Sequence, residues 1–162
     1  MKARLASRLA AFGRSRALPA SDASLVGSAF ALVVLPMEVK RDPLAHTVLG
    51  AAIAVHKALG PGLFESVYRD CLALELADIP AVRVAREVAL PVTYRGVRID
   101  RGFRLDFVID DRLVIEIKSV ENLLPVHSAQ VITYLKLSGL HQGLLINFNV
   151  TRLMDGVKSF LN

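Results

Sequence analysis

The stretch Arg104–Lys118, RLDFVIDDRLVIEIK, constrains everything around it. Two runs rich in Val, Ile, Leu and Phe flank Asp110-Asp111, the pattern of a β-hairpin. Asp106, Glu116 and Lys118 interrupt those runs. Glu116 and Lys118 are two apart and so share one face of a strand. Their neighbours Val114, Ile115 and Ile117 are apolar, so the strand is expected to be buried on both faces. A carboxylate and an ammonium in such a place are costly unless they pair or bind a metal.

The turn decides whether Asp106 joins them. A two-residue turn over Asp110-Asp111 sets Asp106 opposite Ile115, facing away from Glu116. A three-residue loop over Asp110–Arg112, or a single bulge, sets it opposite Glu116. Aspartate tolerates the left-handed conformation such loops need, so the second register is expected. It brings two carboxylates together with Lys118 beside them. Hard oxygen ligands with room for water suit Mg²⁺ or Mn²⁺, and the lysine can hold a phosphate or an attacking water. This is the make-up of a metal-assisted phosphodiester-cleaving site. The plain alternative is a salt-bridged core hairpin.

The remaining segments supply an α/β frame. Leu44–Leu59 has helical periodicity, with Asp42 to cap it, Pro43 in its first turn and Gly60-Pro61-Gly62 to end it. A second helix is expected from Leu63 to Ala77. Its inner stripe is read as Phe64, Val67, Tyr68, Cys71, Leu72 and Leu76, and its outer face as Ser66, Arg69, Asp70 and Ala73. Glu65 falls on the inner side with Tyr68 and Leu72, although a first-turn glutamate is also favoured by the helix dipole. Strands are expected at Val84–Tyr94, with Pro91 at an edge or bend, and at Val97–Ile109, with Gly102 at a bulge. The third strand is expected at Arg112–Ser119, a helix at Val126–Ser138, and a buried parallel strand at Gly143–Phe148. Asn149–Asn162 reads as a turn and a short final element. This order predicts a mixed central sheet flanked by helices, with three antiparallel strands and one added in parallel through a crossover helix. On the last helix His127, Gln130 and Tyr134 share a face, spaced i, i+3, i+7.

Asp106 followed by Glu116-Ile117-Lys118 on a hairpin resembles the PD-(D/E)XK nuclease superfamily, with Leu105 where a proline often stands. The chain is most similar to a subgroup marked by a GxxExxY motif, here Gly62-Leu63-Phe64-Glu65-Ser66-Val67-Tyr68. Ala54–Gly62 and Leu144–Phe148 extend the resemblance, which covers roughly residues 44–162. It implies a restriction-endonuclease-like core. It also implies metal ligation by Asp106, Glu116, the Ile117 carbonyl and Glu65, with Tyr68 packed beneath Glu65 or hydrogen-bonded to it. Gln130-x-x-x-Tyr134 resembles the fourth motif of RecB-type members. Gln130 is then expected to orient Lys118 or a phosphate, with Tyr134 and His127 supporting the site.

Charge and composition narrow the partners. Of the net +5, all but one unit lies in residues 1–42, which hold seven basic and three acidic residues. The rest is near neutral, but Arg83, Arg86, Arg95, Arg98, Arg101 and Arg104 cluster, as a nucleic-acid-facing patch or a solvated strand surface. Cys71, the one cysteine, excludes an internal disulfide and reads as a buried, inert thiol. Residues 1–36 differ in composition. They read as a disordered tail or an extension upstream of a start at Met37, with a secretory signal or membrane-surface helix as rival readings. The apolar run Ala23–Leu35 is too short to span a bilayer. The expectation is a cytoplasmic nuclease-like domain over residues 37–162, using Mg²⁺ or Mn²⁺ on nucleic acid, DNA ahead of RNA, through backbone rather than base contacts. The rival is a catalytically silent module of the same fold that binds nucleic acid or a protein.

Overall fold

The computed structural model describes residues 42–162. The readings of residues 1–36, and of a start at Met37, lie outside the described residues. The elements run α1 (Pro43–Leu59), α2 (Glu65–Ala77), β1 (Val84–Tyr94), β2 (Val97–Ile109), β3 (Leu113–Lys118), α3 (Pro125–Ser138), β4 (Gln142–Asn147), a 3-10 turn (Leu153–Gly156) and β5 (Val157–Leu161). The five strands lie in chain order in one sheet. β3 and β4 are parallel, joined through α3, and the other neighbouring pairs are antiparallel. This is an α/β fold with a mixed sheet, consistent with a restriction-endonuclease-like core.

Local chemistry sets the boundaries. Asp42 caps α1, its carboxylate accepting from the Leu44 amide at 2.9 Å, and Pro43 occupies the first turn. α3 ends at Gly139, whose φ of 71° and backbone bond to Leu135 mark a left-handed cap. The segment after the 3-10 turn is a full strand, β5, paired along β4 from Gln142↔Leu161 to Ile146↔Val157. Its sequence, VKSFL, is too short for its alternation to be told from a turn.

Two cores sandwich the sheet. One lies under α1 and α2 and takes Phe107, Ile109, Leu113, Ile115, Ile117, Leu144 and Ile146 from the strands, with Phe148 just after β4. The other lies under α3 and takes Val88, Leu90, Leu105, Val108, Val114, Leu145 and Phe160. β3 and β4 are buried along their whole length apart from half-buried Lys118, because helices cover both faces. On α2 the buried residues are Tyr68, Leu72, Ala73 and Leu76, whereas Phe64 is 82% exposed and Val67 stands at the surface. The expected inner stripe was therefore rotated: Ala73 turns inward, and Phe64 precedes the first helical residue. Cys71 is half-buried rather than buried, with burial pushing its thiol pKa up.

The first hairpin extends beyond both cores, with Tyr94, Val97 and Ile99 exposed. Its ladder shifts between Leu90 and Val92, where Pro91 cannot donate. Gly102 faces that shift. A Cβ on it would sit 2.3 Å from the Leu90 carbonyl oxygen, so the close approach of the strands requires glycine. Gly102→Ala is expected to lower stability by about 1–3 kcal/mol through strand displacement, read from denaturant unfolding; an unchanged midpoint would show that the strands separate freely there.

Candidate active site

The site begins with the turn. Asp110 and Asp111 both adopt left-handed backbone, with φ of 51° and 54°. Arg83 makes that conformation tolerable: its amide donates to Asp110 Oδ1 at 2.8 Å and its carbonyl accepts from the Asp110 amide at 2.9 Å. Its guanidinium also lies 3.8 Å from Asp110 and 3.3 Å from Asp111. The Arg112 amide closes the turn on the Ile109 carbonyl at 3.0 Å, and Leu113, not Arg112, pairs with Ile109. The register is thus the odd one, with Val108↔Val114 and Phe107↔Ile115. One step further, Asp106 comes opposite Glu116.

At that step the ladder ends and a side chain takes over. The Ile117 amide donates to Asp106 Oδ2 at 2.8 Å, a bond buried in the opening between β2 and β3. Side-chain alternation along β2 breaks at the same place, since Leu105 joins the α3 core while Phe107 joins the α1–α2 core. Asp106 therefore lies between the strands, reachable from either layer. From α2, Arg69 Nη1 reaches Asp106 Oδ1 at 2.6 Å. Arg69, expected on the outer face, is half-buried and is the contact that sequence reasoning missed. The one available signal was its i+4 spacing from Glu65.

Glu116 is 3% exposed. Its Oε1 accepts from the Lys118 ammonium, while Oε2 is buried with no hydrogen-bond partner among the described residues. Burial raises the Glu116 pKa from 4.5 to about 7, with a further push from the Asp106 charge and an opposing pull from Lys118. Burial also raises Glu65, which senses the charges of Lys118, Asp106 and Arg69. Two layers and two strands thus bring Glu65, Asp106, Glu116, Lys118 and Arg69 into one electrostatic neighbourhood.

The other expected site residues have specific placements. Tyr68 is fully buried; its hydroxyl donates to the Gly60 carbonyl at 2.6 Å and accepts from the Leu63 amide at 3.1 Å. Its ring stacks on Phe148 at 4.5 Å. It braces the loop before α2 and makes no hydrogen bond to Glu65, because the hydroxyl is already spanned by that loop. Gln130 donates to the Tyr134 hydroxyl, not to Lys118, the two being one turn apart on α3. Burial, then the Glu116 charge, raises the Tyr134 pKa. His127 accepts from the Leu124 amide at 3.1 Å and so caps α3. Burial lowers its pKa, helped by Lys118 and by Lys158 of β5, a second lysine beside the site. Arg104 lies out on the strand surface, 3.5 Å from Glu87. Within the expected basic patch Arg83, Arg86, Arg98 and Arg104 have carboxylate partners, so its excess charge is smaller than the arginines alone suggest.

The family model for the PD-(D/E)XK nuclease superfamily matches residues 42–160, and the chain belongs to that superfamily. No curated protein and no solved structure matches the chain. No helix among the described residues is long and apolar enough to cross a membrane.

Whether these residues suit a divalent cation turns on the orphaned Glu116 Oε2. No group of three or more His, Cys, Asp or Glu side chains among the described residues forms a ready-made cage. Two adjacent carboxylates, one with a buried unused oxygen, instead suit a hard cation that keeps part of its water shell, as Mg²⁺ does. The Ile117 carbonyl points to the same side of β3 as its amide, toward Asp106, and adds an oxygen donor of the right kind. The donor set fits.

Two outcomes follow. Tyr68→Phe is expected to cost about 1–3 kcal/mol, the penalty of leaving two loop groups without their partner, while leaving divalent-cation affinity at the parental value; melting curves and Mn²⁺ titration test this together. In EDTA-treated protein Glu116 keeps its proton to about pH 7 when folded but loses it near 4.5 when unfolded. The unfolded state therefore binds fewer protons between those values, and this group's contribution to stability falls as pH rises through the window, by roughly 3 kcal/mol. Comparing unfolding of the parent and Glu116→Gln across that window checks the sign: the parent should lose stability relative to the variant as pH rises.

Proposed function

We propose that this protein is a Mg²⁺- or Mn²⁺-dependent nuclease that hydrolyses phosphodiester bonds of nucleic acid, and that it falls in the GxxExxY subgroup. The observation that supports this most is the buried Glu116 Oε2, with no hydrogen-bond partner among the described residues, beside Asp106 and Lys118. A core salt bridge gives no reason for a second carboxylate and an unused oxygen at that point; a cation site needs both.

Asp106, Glu116 and the Ile117 carbonyl are the proposed cation ligands, with Glu65 contributing from α2. A cation bound there supplies Lewis-acid polarisation of the phosphoryl oxygen and a more acidic water. Lys118, anchored by Glu116, orients the attacking water and stabilises charge developing on the phosphate. Gln130 and Tyr134, joined by their hydrogen bond on α3, support the site from that side. His127, Lys158 and Arg104 extend toward flanking phosphates, so recognition runs through the backbone. A cytoplasmic location suits a chain with one cysteine and a nucleic-acid substrate.

One observation favours a catalytically silent binding module instead. Both carboxylates already have cationic partners within the chain, Arg69 on Asp106 and Lys118 on Glu116. Metal-independent binding without product is the signature of that reading.

The deciding experiment is degradation of plasmid and of single- and double-stranded DNA and RNA oligonucleotides with Mn²⁺, with EDTA as control. Asp106→Asn, Glu116→Gln and Lys118→Ala are each expected to reduce cleavage by roughly 100-fold or more while the circular-dichroism spectrum stays native. Cleavage by Asp106→Asn or Lys118→Ala at the parental rate would overturn the proposal.

A further inference from the structure

Both oxygens of Asp106 are engaged: Oδ2 by the Ile117 amide at 2.8 Å and Oδ1 by Arg69 at 2.6 Å. The first bond belongs to the backbone frame of the site. The second comes from a long, half-buried side chain on another element, whose Asp106 partner is almost wholly buried. A divalent cation held by Asp106 and Glu116 would compete with the guanidinium for the Asp106 carboxylate. Two cations cannot share that position, since their repulsion adds to a competition for the same lone pairs.

We infer that Arg69 is the built-in competitor of the divalent cation at Asp106, a positioning residue that yields the carboxylate when the cation binds. This rests on the metal-site reading above. A guanidinium released from Asp106 remains beside the site with a fork suited to phosphate oxygens. Arg69 thereby ties cation arrival to exposure of a phosphate-binding group. It also compensates the buried Asp106 charge whenever the cation is gone.

The competition makes an unusual demand: removing a positive residue must tighten binding of a positive ion. Mn²⁺ binding to the full chain is measured by calorimetry for the parent, Arg69→Gln and Arg69→Lys. Arg69→Gln is expected to bind with roughly tenfold lower Kd, the equivalent of one charged hydrogen bond no longer opposing the ion. Its EDTA-treated form should melt below the parent and gain more in Tm from Mn²⁺. Arg69→Lys, which keeps a cation, should restore affinity toward the parental value. Equal or weaker binding by Arg69→Gln, with the parent binding normally, overturns the inference and leaves the metal reading standing. If neither chain binds Mn²⁺, the metal reading fails and the inference with it. A measurement on the parent alone covers the case of a misfolded variant: the Arg69 Nε–H resonance should shift as Mg²⁺ is added. A resonance that stays put through saturation overturns the inference.

Discussion

Asp106 sits where two strands come apart, and the site depends on how that opening is held. The carboxylate replaces a ladder partner for the Ile117 amide, so a side chain continues the sheet where the backbone stops. It is also a point where a polar side chain of α2 meets the sheet, through Arg69. Without the acid, an amide, a guanidinium and two strand ends would each need another arrangement. Burying a charge at such a point is unfavourable by itself. It is sustained because both of its oxygens are held, one by the Ile117 amide and one by the Arg69 guanidinium.

The neighbouring Glu116 obeys the opposite logic. Its environment opposes ionisation, through burial and the Asp106 charge, and a single ammonium opposes that push. Two adjacent carboxylates thus have different characters: one satisfied on both oxygens, the other half-satisfied with a raised pKa. Such inequality is a mark of sites whose charges serve chemistry. The layers around it are conventional. Tyr68, Asn147 and His127 spend their polar groups on loops and caps, with Asn147 clamping both backbone groups of Val120 just after β3. These bonds stiffen the segments that carry Glu116, Ile117 and Lys118.

Much of the frame was legible in the chain. The limits of β1 and β2, the capping of the first helix by Asp42, the parallel strand after a crossover helix and an irregularity at Gly102 all follow from local patterns. β5 was not legible as a strand, because five residues that complete an edge depend on what lies beside them. The rotation of α2 was missed because Ala73 and Phe64 suit either side of a helix by type, and only the packing partner chooses. The arginine cluster was legible as composition but not as potential, since half of its members find carboxylates from other segments.

The sequence by itself determined which acids and which lysine occupy the central hairpin, and that Glu116 and Lys118 lie on a common face, because strand periodicity is a local property. It also pointed to the odd register, through the tolerance of Asp110 and Asp111 for left-handed backbone. Tertiary structure held that register in place, by bringing Arg83, just ahead of β1, to both aspartates in their left-handed backbone. Tertiary structure alone brought Arg69 onto Asp106 and left one oxygen of Glu116 without a hydrogen-bond partner among the described residues. Contacts between residues distant in the chain follow from how helices pack on a twisted sheet, and no local pattern encodes them.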